Sequence, residues 1–164
     1  MDRKPLIAVI GPGVKCPDSL KSIAEDLGEA IGNAGYNLIS GGRFMGVMNA
    51  VSKGAKGKGS MVIGILPGMD NSDSSEWLDI SILTGAGSAR NNFIVLSSDV
   101  VIALGKGSGT FSEIALAIKA EKPLILYNPE DNLYDLALQM GDQIYKAGSV
   151  EDVMAITGDL ISKN

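Results

Sequence analysis

The sequence predicts an α/β fold of three layers, with a doubly wound, mainly parallel sheet between helices. Two observations carry that prediction. Short apolar runs rich in β-branched residues alternate with amphipathic stretches, the pattern of βαβ units. Three glycine-rich segments, GPGVK, SGGRFMG and GKGSGT, each follow one of those apolar runs. In a doubly wound sheet such turns gather at the carboxyl ends of the strands, where ligands bind.

Taken in order, LIAVIG (Leu6–Gly11) is the first strand and GPGVKCPD the loop after it. Ser19–Gly35 follows as a helix. Leu20, Ile23, Ala24, Leu27, Ala30 and Ile31 fall on one face of it, and Gly35 serves as its stop. YNLIS (Tyr36–Ser40) is the second strand; GGRFMGVMNAVSKGAKGKG opens on a glycine pair and becomes a helix, with its methionines and phenylalanine in the core. MVIGILP (Met61–Pro67) is the third strand. Gly68–Trp77 is polar and aperiodic, and reads as a mobile surface loop. Leu78–Gly85 is a fourth strand, Ser88–Asp99 a helix, and VVIALGKGSGTFSEIALAIKA (Val100–Ala120) a strand, loop and helix. Pro123–Asn128 is the last strand, followed by helices over Leu133–Ala147 and Val150–Ile161. A chain of 164 residues without a linker or repeat is read as one Rossmann-like domain, 1–164.

Composition removes several classes of function. The chain has no histidine, which excludes Ser-His-Asp triads, histidine zinc sites and histidine bases together. Cys16 is the only cysteine, so no internal disulfide or thiolate cage forms, and no metal site is expected. A net charge of −5 opposes nonspecific nucleic-acid binding. No apolar run approaches the roughly 20 residues of a membrane span. MDRKPLIAVIG reads as a strand without a signal-peptide cleavage pattern, which places the protein in the cytoplasm. The partner expected is a small anionic molecule, with no nucleic acid or membrane.

GKGSGT is the leading candidate site. Amides at a helix N-terminus are unpaired and carry the positive end of the macrodipole. Gly107 and Gly109 let the backbone approach an anion, Ser108 and Thr110 offer hydroxyls, and Lys106 adds charge beside the loop. Thr110 equally suits a plain N-cap paired with Glu113 in a capping box. The spacing fits neither the Walker pattern nor GxGxxG, and the absent fingerprint removes a dehydrogenase. Gly41 and Gly42 repeat the logic before the second helix. Arg43 nearby either reaches a phosphate or is solvated; Arg90, near the start of its helix, either clamps a phosphate or pairs with a surface carboxylate.

These residues resemble a known group. SGGRFMGVM is similar to the GGGxxGLM segment, and GKGSGTFSE to the PGGxGTxxE signature, of the LOG-type proteins. Those are Rossmann-like cytokinin riboside monophosphate phosphoribohydrolases, long mislabelled lysine decarboxylases. The resemblance runs over nearly the whole chain in order and spacing. Arg90 stands where that family carries the arginine paired with the signature glutamate, here Glu113. Gly105 replaces the signature proline, Lys106 its first glycine, and Asn91 the lysine after the arginine. With GSARNN upstream, the altered pattern looks more like the sister group of molybdenum cofactor carrier-type proteins. That resemblance implies a phosphate-bearing pterin or nucleotide ligand, no required cofactor, and a homodimer or homotetramer. The alternative it implies is a nucleoside 5′-monophosphate N-glycosidase with Arg90 and Glu113 as catalytic residues. A lysine decarboxylase is rejected, because the chain is short and has no His-Lys pair for pyridoxal phosphate.

Overall fold

A computed structural model describes residues 3–163 and builds them around one seven-stranded sheet. Its strands are β1 (Leu6–Ile10), β2 (Asn37–Ser40), β3 (Val62–Leu66), β4 (Ile80–Leu83), β5 (Val100–Leu104), β6 (Leu124–Tyr127) and β7 (Ile144–Ala147). The order is β4-β3-β2-β1-β5-β6-β7, and every pairing is parallel. The winding therefore reverses between β1 and β5.

The period of two along each strand supplies both cores. Along β5, Val100, Ile102 and Leu104 face one side, where they join α1 (Asp18–Asn33), α2 (Gly46–Gly57) and α6 (Val150–Ile161). Val101 and Ala103 face the other, with α3 (Asn91–Ser97), α4 (Ser108–Lys119) and α5 (Asp131–Met140). The centre of the sheet is covered on both faces, which is why β1 and β5 read as unbroken apolar runs. Helices α1 and α2 touch backbone to backbone: a Cβ at Gly28 would collide with the Val51 carbonyl, and one at Gly54 with that of Glu25.

Helix α1 stops where its sequence says it should. Gly35 has φ +77°, and the amides of Gly35 and Tyr36 cap the carbonyls of Gly32 and Ile31. Other expectations are corrected. The helix expected over Leu133–Ala147 ends at Met140, and Ile144–Ala147 becomes a seventh strand beside β6. Extended Gly141 breaks the helix, and the Ile-Tyr pair that follows suits a pleated surface. The Ser88–Asp99 segment opens as a 3₁₀ turn, Gly87–Arg90, before α3. The Gly68–Trp77 loop, expected to be mobile, is pinned. Phe44 N–H donates to the Asp73 carbonyl, Ser75 N–H to that of Gly42, and the Ser75 hydroxyl to Asn49 Oδ1 at 2.7 Å. Phe44, expected in the core, is 51% exposed, whereas Met48 is buried.

Candidate functional site

The winding reversal leaves a gap between the turns after β1 and β5, and a cleft of about 560 Å³ opens there. Gly11–Lys15 line one wall, and Lys106–Thr110 another. Gly41 and Arg43 enter from the end of β2, Pro67 from β3, and Ser88, Arg90 and Asn91 from the start of α3. Glu113 closes the floor. Of the residues singled out from the sequence, Gly41, Arg90, Lys106, Gly107, Ser108, Gly109, Thr110 and Glu113 all line this cleft. Gly42 is not among the lining residues. It turns at φ +69° against Gly64, and its N–H is held by the Ser40 hydroxyl at 3.1 Å.

Arg90 is built into the wall. Its Nη1 donates to the carbonyls of Gly41 at 2.7 Å and Ile65 at 2.6 Å, tying the ends of β2 and β3 together. The guanidinium lies against Gly41, where any Cβ would collide with it. The choice left open for Arg90 is thus narrowed: among the described residues no carboxylate forms a salt bridge with it, and carbonyls hold it instead. Burial holds its pKa below the ordinary arginine value, while Glu113 opposes that shift. Arg90→Ala strips two carbonyls of a charged donor. Expected results are a loss of about 2 kcal/mol in chemical denaturation and, in calorimetry, phosphate-ester binding weakened about tenfold.

Helix α4 begins one turn earlier than a threonine cap implies. Gly107 is the N-cap, so Thr110 is the third helical residue and Glu113 sits in the second turn. The capping-box expectation is overturned. Thr110 Oγ1 is buried and has no hydrogen-bond partner. Glu113 is 8% exposed. Burial pushes its carboxyl up to about 7, against the pull of Arg90.

Charge is concentrated in the cleft. Lys15, Arg43, Arg90 and Lys106 line it against one carboxylate, Glu113, although the whole chain is at −5. Two of these cations carry partners outside the lining: Arg43 with Asp73 at 2.9 Å, and Lys106 with Glu130. The sequence does not single out Asp73 or Glu130 for the site, and it offers Lys15 only as the end of the Gly11–Lys15 turn, which either borders a ligand or is purely structural. Nothing local marks the two carboxylates, which lie far along the chain from their partners. Lys15 has φ +57°, a left-handed geometry that GPGVK does not announce. Among the described residues, the buried side-chain nitrogens and oxygens without a partner are Arg43 Nε, Arg90 Nε and Thr110 Oγ1. All three residues line this cleft. Among the described residues no cluster of three or more His, Cys, Asp or Glu side chains is placed to hold a metal. No described helix is long and apolar enough to cross a membrane.

Fold and cleft together define a Rossmann-like α/β protein whose sheet opens onto a cationic, amide-lined cleft at its switch point. The chain belongs to the SLOG cluster4 family, whose model matches residues 4–154. Its fold is that of the molybdenum cofactor binding protein from Rippkaea orientalis, with TM-score 0.91 and 43% identity over 97% of this chain and 98% of that one. It is equally similar to the molybdenum cofactor carrier protein of Chlamydomonas reinhardtii, with TM-score 0.92, 40% identity and coverage of 98% and 99%. A probable cytokinin riboside 5′-monophosphate phosphoribohydrolase of Oryza sativa is 31% identical over 147 residues. That match takes in 85% of this chain but only 58% of the rice protein.

Proposed function

We propose that this chain binds and carries a phosphate-bearing pterin, the molybdenum cofactor, in the cleft at the switch point. The observation that carries the reading is the set of buried, unpartnered polar atoms, Arg43 Nε, Arg90 Nε and Thr110 Oγ1, all on cleft residues. Buried polar groups are nearly always satisfied, so donors left open around a cationic cleft mark a place for an anion. In this reading the amides of Ser108, Gly109 and Thr110 take the phosphate on the α4 dipole, helped by the Ser108 hydroxyl and Arg90. Lys106 leaves exposed Glu130 to join them, a small cost because such pairs are weak. The molybdenum cofactor is cargo here, and the protein's part is to hold its phosphate and screen its charge. Similarity to two proteins that bind or carry this cofactor, each over nearly the whole chain, supports the reading.

The rest of the reading concerns assembly and place. The chain acts as one domain in the cytoplasm and forms a homodimer or homotetramer. Ile80 and Ile82 on β4, and Phe93 and Leu96 on α3, are each more than 40% exposed, which supports a second copy there.

One observation favours a second reading, a nucleoside 5′-monophosphate phosphoribohydrolase. Glu113 is a carboxyl poised near neutrality beside the anion donors, which suits protonation or activation of water at an anomeric carbon. The rice relative supports it at lower identity. Incubation with adenosine monophosphate and an N6-modified analogue, followed by chromatography, separates the two. The carrier reading expects saturable binding and no free base. Free base that disappears in Glu113→Gln would assign the hydrolase instead.

A further inference from the structure

A second recess, of about 360 Å³, lies on the other side of the β5–α4 turn. Its floor is apolar: Ala103 from β5, Leu126 from β6 and Ile114 from α4. Phe111 and Leu136 form its walls and remain 44% and 51% exposed. The rim is polar, with Asn128, Glu130 and Asn132 from the β6–α5 connection. An apolar slot with a few polar groups at its mouth is how small-ligand sites are built, and the volume falls within their range of about 300–1,000 Å³.

Its position says which ligand. Gly105, at φ +65°, turns the chain over the end of β5, so that Lys106 lines both this recess and the cationic cleft. The turn stands between them. A phosphate on the first α4 amides lies on one side of that turn, and the Phe111 ring, one position beyond Thr110, opens on the other. Lys106 lines both spaces, its ion-pair partner Glu130 lines only this recess, and both side chains are exposed.

We infer that this recess takes the flat, nitrogen-containing ring of the same ligand whose phosphate the cleft holds. The inference rests on the anion-binding reading of the cleft. It adds that the ligand spans the β5–α4 turn, with its ring edge meeting Asn128 and Asn132 and its face meeting Phe111.

Calorimetry with ribose 5-phosphate, adenosine 5′-monophosphate and a 6-hydroxymethylpterin phosphate tests it, using the native chain and Leu136→Glu. The expected result is that at least one ring-bearing phosphate binds tenfold or more tighter than ribose 5-phosphate. Leu136→Glu should erase that margin and leave ribose 5-phosphate unchanged. Phe111→Trp should report the ring, but not ribose 5-phosphate, by saturable quenching of its emission above that of Trp77. Three outcomes overturn the inference. If ribose 5-phosphate binds and neither ring-bearing phosphate gains, or the margin survives Leu136→Glu, the recess is not part of the site and the cleft reading stands. If none of the three ligands binds, both fall. If Leu136→Glu instead dissociates an oligomer in sedimentation, with the emission of the Phe111→Trp variant unmoved by ligand, the recess belongs to a second copy of the chain.

Discussion

Gly109→Asp should lose at least about 100-fold in affinity for a phosphate ester while melting at the native temperature or slightly above it. The two halves of that expectation have separate causes. A Cβ at Gly109 meets nothing within 4 Å, so the side chain enters the cleft without disturbing the fold. Position 109 is the second residue of α4, where an acidic side chain is favoured by the dipole at ~0.3–1 kcal/mol. Against a bound phosphate the same carboxylate is a like charge. At ~4 Å and an effective dielectric near 20, repulsion costs about 4 kcal/mol, more than two decades in affinity. Calorimetry and thermal unfolding on one preparation give both numbers. Unchanged affinity would place the anion elsewhere than on the first turn of α4.

What the sequence disclosed follows from how local each signal is. β1, β3 and β5 were legible because they are buried on both faces, so every residue in them is apolar. β7 was not, because Ile144–Ala147 is a short edge strand whose pattern, buried at its ends and open between, matches a helix equally well. Gly107–Thr110 were legible as a glycine turn opening a helix, from the glycine spacing and the apolar pattern that follows. That Thr110 is left without a partner, rather than capping the helix, depends on α4 starting at Ser108, a one-turn difference that composition does not encode. Arg90 was placed by the family resemblance, through its spacing to Gly105 at the signature proline position. Its bonds to Gly41 and Ile65 join segments 49 and 25 residues away, and only the closed sheet brings them together. The Gly68–Trp77 loop looked mobile for want of periodicity, yet its order comes from contacts with Gly42, Phe44 and Asn49, made across the sheet edge.

Those long-range contacts explain why an acidic chain can concentrate cations at one point. Asp73 and Glu130 hold Arg43 and Lys106 at the mouth, where the pairs are partly or well exposed and exchange easily. Arg90 is held deeper by carbonyls, which orient it without cancelling its charge. In the proposed reading, an arriving anion meets Arg90 fixed in the wall, Arg43 and Lys106 to recruit from their carboxylates, and Lys15 on the first turn. The cost falls on Glu113, the single carboxylate among the described residues lining the cleft, buried where an acid is least stable as an anion.

That cost should appear as an inverted pH dependence of stability. The Glu113 carboxyl is pushed from 4.5 up to about 7 in the folded chain, chiefly by burial, with Arg90 opposing. Between those values the native state holds a proton that the unfolded state has released, so unfolding becomes easier as pH rises through that window. The full difference is on the order of 3 kcal/mol, developed between about pH 5 and 7.5. No histidine titrates in that range to mask it. The lowered carboxyls, Asp70, Asp79 and Asp99, act in the opposite sense and at lower pH. Urea midpoints of the native chain should therefore fall from pH 5 to 7.5, and those of Glu113→Gln should stay flat. A slope that persists in the Gln variant would mean that another group carries it, and a flat native profile would mean that the Glu113 carboxyl stays ionised in the folded chain. An anion bound beside Glu113 raises its proton affinity further, so ligand binding should take up a proton and weaken above neutrality. Calorimetry in two buffers of different ionisation enthalpy reads the net proton exchange, to which the phosphate ester also contributes through its second pKa of ~6. Glu113→Gln should remove the share due to the carboxyl while leaving the phosphate bound.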